Sequence, residues 1–306
     1  MAFVFPGQGS QSVGMLADIA ERSPLVGDTF ATASAALGYD LWALCQDDPN
    51  GRLSETEVTQ PALLTASTAL WRVWLDAGGA QPTLLAGHSL GEYSALVAAG
   101  AIELADAVTL VATRGRYMQE AVPAGSGGMA AVLGLDDDAV IAACAGVSDG
   151  VVEAVNFNAP GQVVIAGDKA AVDAAIEACK AAGAKRALPL PVSVPSHCAL
   201  MQPAAERLAE TLVGIDIAAP NIDIVNNVDV EKTRDPAAIR DALVRQLHSP
   251  VRWTETMQAF ASAGVSQIIE CGPGKVLSGL QKRIDRSVGT ECLETPAGFD
   301  AALGGA

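Results

Sequence analysis

Residues Leu84–Gly100 read LLAGHSLGEYSALVAAG. The aliphatic run Thr83–Ala86 has the length of a buried strand. Glu92–Ile102 reads as a helix whose buried face carries Leu96, Val97 and Ala99. Between them lies GHSLG, and a G-x-S-x-G placed after a strand and before a helix is the nucleophile elbow. On such a turn Ser89 is strained, so its Oγ projects above the sheet. Gly87 and Gly91 let neighbouring backbone pass without a Cβ in the way. The N-terminal amides of the following helix point at the same place and can receive a developing oxyanion. In a chain with 30 glycines the five residues can also be a plain tight turn. The strand before and the helix after favour the nucleophile.

Outward from the elbow, strands alternate with helices. Ala2–Phe5 reads as a strand, followed by a Gly-rich loop at Pro6–Ser10 and then a helix. Asn221–Val228 and Ser266–Gly274 each read as a strand running into a loop, and a helix from about Lys275 to Asp285 follows the second. This alternation predicts an α/β protein with a parallel sheet covered on both faces. From Gly127 to Pro191 the rhythm changes: strand Met129–Leu133, helix Asp136–Ala145, two strands around a turn at Asn158–Gly161, helix Lys169–Ala182 and strand Arg186–Leu190. That β-α-β-β-α-β order is the ferredoxin-like pattern. Gly-rich Pro123–Gly128 and Pro-rich Leu188–Ser196 flank it. The expected organisation is therefore a small inserted unit at 126–191 within a large α/β domain made of 1–125 and 192–306. The last residues, PAGFDAALGGA, are expected to trail over the surface.

Composition narrows the function. Half of the 306 residues are hydrophobic and only 4% are aromatic, which suits a layered α/β core. The net charge of −16 argues against a nucleic-acid partner. No run of about 18 apolar residues suggests a membrane span. The N-terminus enters AFVFPGQGSQ without a charged region and long apolar run, so no secretory leader is expected. Six cysteines without a CxxC pair read as reduced thiols of a cytoplasmic protein. Three histidines without ligand spacing to cysteine make a metal site unexpected.

A nucleophilic serine needs a base, and histidine titrates in the useful range. His88 neighbours the serine, and a neighbour on such a turn is expected to point the other way. His248 sits beside a proline. His197 follows a Pro-rich loop, precedes an expected helix and lies downstream of the serine, as in hydrolase-like enzymes. No orienting carboxylate stands out near it; Glu206, on the next helix, is the nearest. FPGQGSQ at Phe5–Gln11 lacks the third glycine and the Lys-Ser/Thr pair of nucleotide loops, so its amides are better suited to facing the elbow as a second oxyanion donor. Arg114 follows a buried-looking helical run, with Arg116 on the same helix. A buried arginine requires an anion, either an internal carboxylate or one belonging to a substrate. CGPGK at Cys271–Lys275 reads as a helix-entry turn.

Taken together, FPGQGSQ, GHSLGEYSAL, RGRYMQEAVP, NFNAPGQVVIAG, VPSHC and ECGPGKVLSGL, in this order, resemble the malonyl-CoA:acyl carrier protein transacylases of bacterial type II fatty acid synthesis. The resemblance runs from about Ala2 to about Arg286. It implies a hydrolase-like α/β domain with a ferredoxin-like insertion and an active site in the cleft between them. It implies Ser89 as the acylated nucleophile, His197 as its base and Arg114 as the partner of the malonyl carboxylate. It also implies the amides of Gln8 and Leu90 as the oxyanion hole, and Gln246 as the residue whose backbone carbonyl orients His197. The four residues Val194–His197 match neither the usual malonyl nor the usual methylmalonyl form of polyketide acyltransferase domains and fit a stand-alone enzyme better.

The implied partners are malonyl-CoA and acyl carrier protein, with no membrane and no nucleic acid. The coenzyme A thioester enters as substrate, and no cofactor is expected to be held permanently. Carrier proteins of this kind are acidic and so is this chain, so docking needs a local basic patch. Lys282, Arg283 and Arg286 offer one, and Lys185 and Arg186 offer another; solvated helix faces explain the same charges. Two other classes share the elbow: a serine hydrolase such as a thioesterase, and a non-catalytic acyl-CoA-binding protein.

Overall fold

The segment AFVF at Ala2–Phe5 (β1) forms the middle strand of the larger sheet, buried on both faces. Phe3 and Phe5 enter one apolar cluster, where Phe3 meets Trp71 and Trp74 edge-on at 5.3 Å each. Ala2 and Val4 enter the other, with Trp253 and Phe260. A strand with no polar residue is compatible only with such two-sided burial. The computed structural model describes residues 1–192 and 194–305.

Alongside β1 lie β2 (Leu84–Gly87) and the later strand Gln267–Glu270, both parallel to it. The second sheet begins with β3 (Gly127–Leu133), β4 (Val152–Ala159), β5 (Gln162–Asp168) and β6 (Arg186–Pro189). The chain then returns to the first sheet as β7 (Asp223–Val225), β8 (Gln267–Glu270) and β9 (Gly289–Cys292). The larger sheet has the order β7-β2-β1-β8-β9 with all pairings parallel. Loops after β1, β2 and β7 therefore emerge at one edge, the carboxyl ends of the strands, where ligands bind in open parallel sheets.

The smaller sheet is antiparallel, with order β4-β5-β3-β6. Helices Asp137–Ala145 and Lys169–Ala181 cover one face, burying Val140, Val172 and Ile176 against Val132, Val163 and Ile165. Register shifts in β4 at Ala154/Asn156 and Phe157/Ala159 bend the strand. The bend lets it pair with Val251, through Val251 N to Val155 O at 2.8 Å and Phe157 N to Val251 O at 3.0 Å. Backbone hydrogen bonds thus tie the smaller sheet to the connection that enters helix Trp253–Ser262 of the larger part.

The elements expected from sequence are present, with shifted ends. The first helix starts only at Ala17, so the loop after β1 is longer than expected. The helix after the elbow, Gly91–Ala98, stops before the left-handed Gly100 rather than reaching Ile102. The β4–β5 turn is only Pro160–Gly161, because Asn158 and Ala159 continue the strand. The C-terminal residues correct the expectation of a trailing tail: Pro296–Gly305 is a helix. Thr295 caps it, accepting from Gly298 N at 3.2 Å, and Phe299 and Ala302 lie buried, with Phe299 6.0 Å from the Trp74 ring. Two apolar residues one turn apart suffice to dock so short a helix. The Pro-rich connection at 188–196 includes Ser193, which lies outside the described residues. Among the described residues no helix is long and apolar enough to cross a membrane.

Candidate active site

Ser89 has φ of 51°, in the left-handed region that a serine enters only at a cost. The two glycines permit the close packing this requires. A Cβ on Gly87 would overlap the backbone of Gly91 and Glu92, and one on Gly91 would overlap the Phe5 carbonyl. Asn227, just past β7, spans the turn: its Oδ1 accepts from Ser89 N at 2.7 Å and its Nδ2 donates to Gly87 O at 2.6 Å. Gln246 Nε2 donates to Ser89 O at 3.1 Å. Backbone on both sides of the strained residue is thereby held.

His197 Nε2 lies 2.8 Å from Ser89 Oγ. Its Nδ1 lies 2.7 Å from the carbonyl of Gln246. A carbonyl only accepts, so Nδ1 carries the proton and Nε2 is free to accept from the hydroxyl. Burial and the charge of Arg114 push the imidazole down to about 3, so the ring is neutral across the working range. Glu206 is exposed and accepts from Gln202 instead of approaching the ring. His248 does not line the cleft. His88 borders the cleft, but its ring is turned to residues outside the lining, with Nε2 2.8 Å from Asn158 Oδ1 and the ring against Trp253. Burial holds its pKa below the ordinary value.

Gln8 and Leu90 line the same cleft, which has a volume of about 270 Å³ and is walled on its far side by Met129, Asn156 and Leu190. Among the described residues neither backbone N–H of this pair donates to a protein acceptor. A Cβ on Gly7 would overlap the His88 carbonyl, so the first loop lies against the elbow.

Arg114 is 1% exposed. Among the described residues no carboxylate lies within ion-pair distance of it. Its Nη1 donates to Gln60 Oε1 and its Nη2 to Gln246 Oε1, both at 2.9 Å, and Nη2 lies 3.4 Å from Ser89 Oγ. Nε has no partner among the described residues. The guanidinium also sits over the Tyr93 ring at 5.4 Å. Of the two anions open from sequence, the direct internal carboxylate is therefore not found. Arg116 is exposed and faces Glu120.

Sequence reasoning missed Gln60, Glu92 and Asn227. Glu92 is 3% exposed, and its Oε2 accepts from Asn227 N at 3.0 Å and Gln246 Nε2 at 2.9 Å. A signal was present: Glu92 is the one charge in GEYSALVA, a helix otherwise suited to complete burial. Lys282 and Arg283 are exposed in the last turn of helix Val276–Ile284 and do not line the cleft. That helix starts as expected after CGPGK, its amides at Leu277 and Ser278 capped by buried Glu270.

The chemistry open to such a serine is attack on an acyl carbonyl, with the acyl group held on oxygen until an acceptor takes it. The class is that of enzymes working through an acyl-serine. Residues 2–289 match the family described as acyl transferase domain, and the chain belongs to that family. A malonyl CoA-acyl carrier protein transacylase of Salmonella typhimurium is 63% identical over 303 residues, covering 99% of this chain and 98% of that one. Among solved structures, an acyl carrier protein S-malonyltransferase from Vibrio cholerae has a TM-score of 0.96 at 59% identity, covering 98% of each chain. A malonyl-transacylase in complex with a type II PKS acyl-carrier protein has a TM-score of 0.98 at 57% identity, covering 100% of this chain and 99% of that one.

Proposed function

We propose that this chain moves the malonyl group from malonyl-CoA to the phosphopantetheine thiol of acyl carrier protein by a ping-pong route. The observation that carries this reading is the joint approach of His197 Nε2, at 2.8 Å, and Arg114 Nη2, at 3.4 Å, to Ser89 Oγ. A base and a carboxylate-binding cation meet at one nucleophile. Ser89 Oγ attacks the thioester carbonyl and its proton passes to His197 Nε2. The oxyanion rests on the amides of Gln8 and Leu90. The C–S bond breaks, and the imidazolium protonates coenzyme A as it leaves. The malonyl carboxylate, one methylene beyond the ester carbon, pairs with Arg114. The carrier thiol then gives its proton to His197 and attacks the malonyl-serine; the ester C–O bond breaks, the imidazolium returns the proton to Ser89 Oγ, and the serine is regenerated.

The same reading treats 1–125 and 192–306 as a hydrolase-like domain and 126–191 as a ferredoxin-like insertion; the sheet order β4-β5-β3-β6 supports the latter. It places the enzyme in the cytoplasm, with carrier docking on the Lys282 and Arg283 surface. No resident cofactor enters, because each proton and charge in the scheme has a group of this chain within reach. Intact mass after addition of malonyl-CoA tests the reading. One malonyl equivalent on Ser89, removed by carrier protein, is expected. Continuous coenzyme A release without an acceptor would make the chain a hydrolase, and no adduct and no release would make it a binding protein.

A further inference from the structure

We propose that Glu92 is a positioning residue for this reaction: through the side-chain amide of Gln246 it supplies the counter-charge of Arg114 and fixes the residue whose carbonyl orients His197. The inference rests on the malonyl-transfer reading. A buried guanidinium without a counter-ion is costly, yet a carboxylate bound directly to Arg114 would occupy the position a substrate carboxylate must take. The structure meets both demands by separating the charges with one amide. Gln246 Nε2 donates to Glu92 Oε2 at 2.9 Å, and Gln246 Oε1 accepts from Arg114 Nη2 at 2.9 Å. The amide is thus oriented by a negative group at one end and a positive group at the other.

Gln246 is fully buried, and its main chain does a second task, accepting from His197 Nδ1 at 2.7 Å. Glu92 Oε2 also accepts from Asn227 N, and Asn227 is the side chain that spans the Ser89 turn. One carboxylate oxygen therefore anchors both the base and the nucleophile. Glu92 touches neither the substrate position nor the reacting atoms, so it acts only through Gln246 and Asn227.

The charged state of Glu92 matters to this role. Its surroundings are Arg114 on helix Leu104–Ala121, Tyr93 on its own helix, His197 through Gln246, and Asp229 after β7, the last bound by Arg245 at 2.7 and 2.9 Å. Burial lifts the carboxyl to about 7 against the opposing pull of Gln246, Asn227 and Arg114. Above that pH the carboxylate balances Arg114; below it the proton removes the counter-charge.

The test is single-turnover malonylation by malonyl-CoA, followed by intact mass from pH 8 to pH 5, in the wild type and in Glu92→Gln. The glutamine has the same shape and its amide oxygen can take both N–H groups. The wild-type rate constant is expected to fall as pH drops through about 7, well above the titration of His197 at about 3. Glu92→Gln is expected to be slower at pH 8 by about 10²-fold, with half-saturating malonyl-CoA unchanged and the limb near pH 7 gone. A variant as fast as wild type, or slow but with the limb retained, overturns the proposal, since a merely structural role would not move the limb. If the variant fails to fold, the wild-type profile decides: a flat rate between pH 8 and 5 overturns it. No adduct on wild type at any pH would instead overturn the transfer reading itself, and this inference with it.

Discussion

The carbonyl oxygen of Gln246 lies 2.7 Å from Nδ1 of His197, and it holds the ring in the place where a carboxylate often does. A backbone acceptor fixes the tautomer without adding a negative charge beside the imidazole. Removing the acid nearest in sequence should therefore matter little. Glu206→Ala is expected to leave the malonylation rate within about twofold, whereas His197→Ala should cost about 10³-fold or more. Both are read by coenzyme A release in the first turnover. A large loss in Glu206→Ala would mean that an acid does assist the base.

Arg114 presents charge to the cleft with amide oxygens as its direct partners. Arg114→Ala should lower kcat/KM for malonyl-CoA by about 10²-fold or more while changing the slow transfer of acetyl far less. The ratio of the two specificity constants is the readout. An equal fall for both acyl groups would contradict carboxylate pairing.

Gly91 has no room for a side chain, because its Cβ would meet the Phe5 carbonyl, which is backbone of the central strand and cannot turn aside. Gly91→Ala is expected to destabilise by about 3 kcal/mol. Gly279, on an outer helix with nothing within 4 Å, provides the contrast: Gly279→Ala should be neutral or stabilising by about 0.5–1 kcal/mol. Urea unfolding of both variants checks the pair, and similar midpoints would contradict the packing described.

His197 is held at about 3 when folded, against an ordinary 6.5. Between those values the unfolded chain binds a proton that the native ring refuses, so this residue costs stability as pH falls below 6.5 and contributes nothing above it. His197→Gln should therefore lose less stability than the wild type between pH 6.5 and pH 4, measured as the shift in urea midpoint. Parallel curves would show that the ring is not kept neutral by the fold.

Lys282 and Arg283 are exposed and lie outside the cleft, so any part they take concerns the carrier and not the acyl group. Reversing both to glutamate should raise KM for carrier protein and leave KM for malonyl-CoA unchanged. No change in either constant would remove them from the docking surface.

Much of this architecture could be read from the chain because it is local. AFVF and TLLA are strands by composition, and GHSLG is constrained by its own two glycines. The alternation from Gly127 to Pro191 carries the smaller sheet's element order without any long-range information. What escaped depends on distant partners. Gln60, Glu92, Asn227 and the side chain of Gln246 come from separate elements and meet only after the parallel sheet has formed. No spacing links Glu92 to Gln246, 154 positions apart. The setting of His88 likewise depends on a distant partner: its ring is held by Asn158 on β4, at the register shift between Phe157 and Ala159. The C-terminal helix was missed because its three glycines suggested a loose end, whereas Phe299 and Ala302 supply a docking face.

In the proposed reaction Ser89 carries the acyl group between two thiols. The direct measurement is intact mass of the protein mixed with malonyl-CoA, before and after addition of a carrier protein bearing its phosphopantetheine arm. One malonyl equivalent is expected that is absent in Ser89→Ala, persists in water, and passes to the carrier when it is added. Steady release of coenzyme A with no adduct accumulating, or an adduct unaffected by Ser89→Ala, would contradict it.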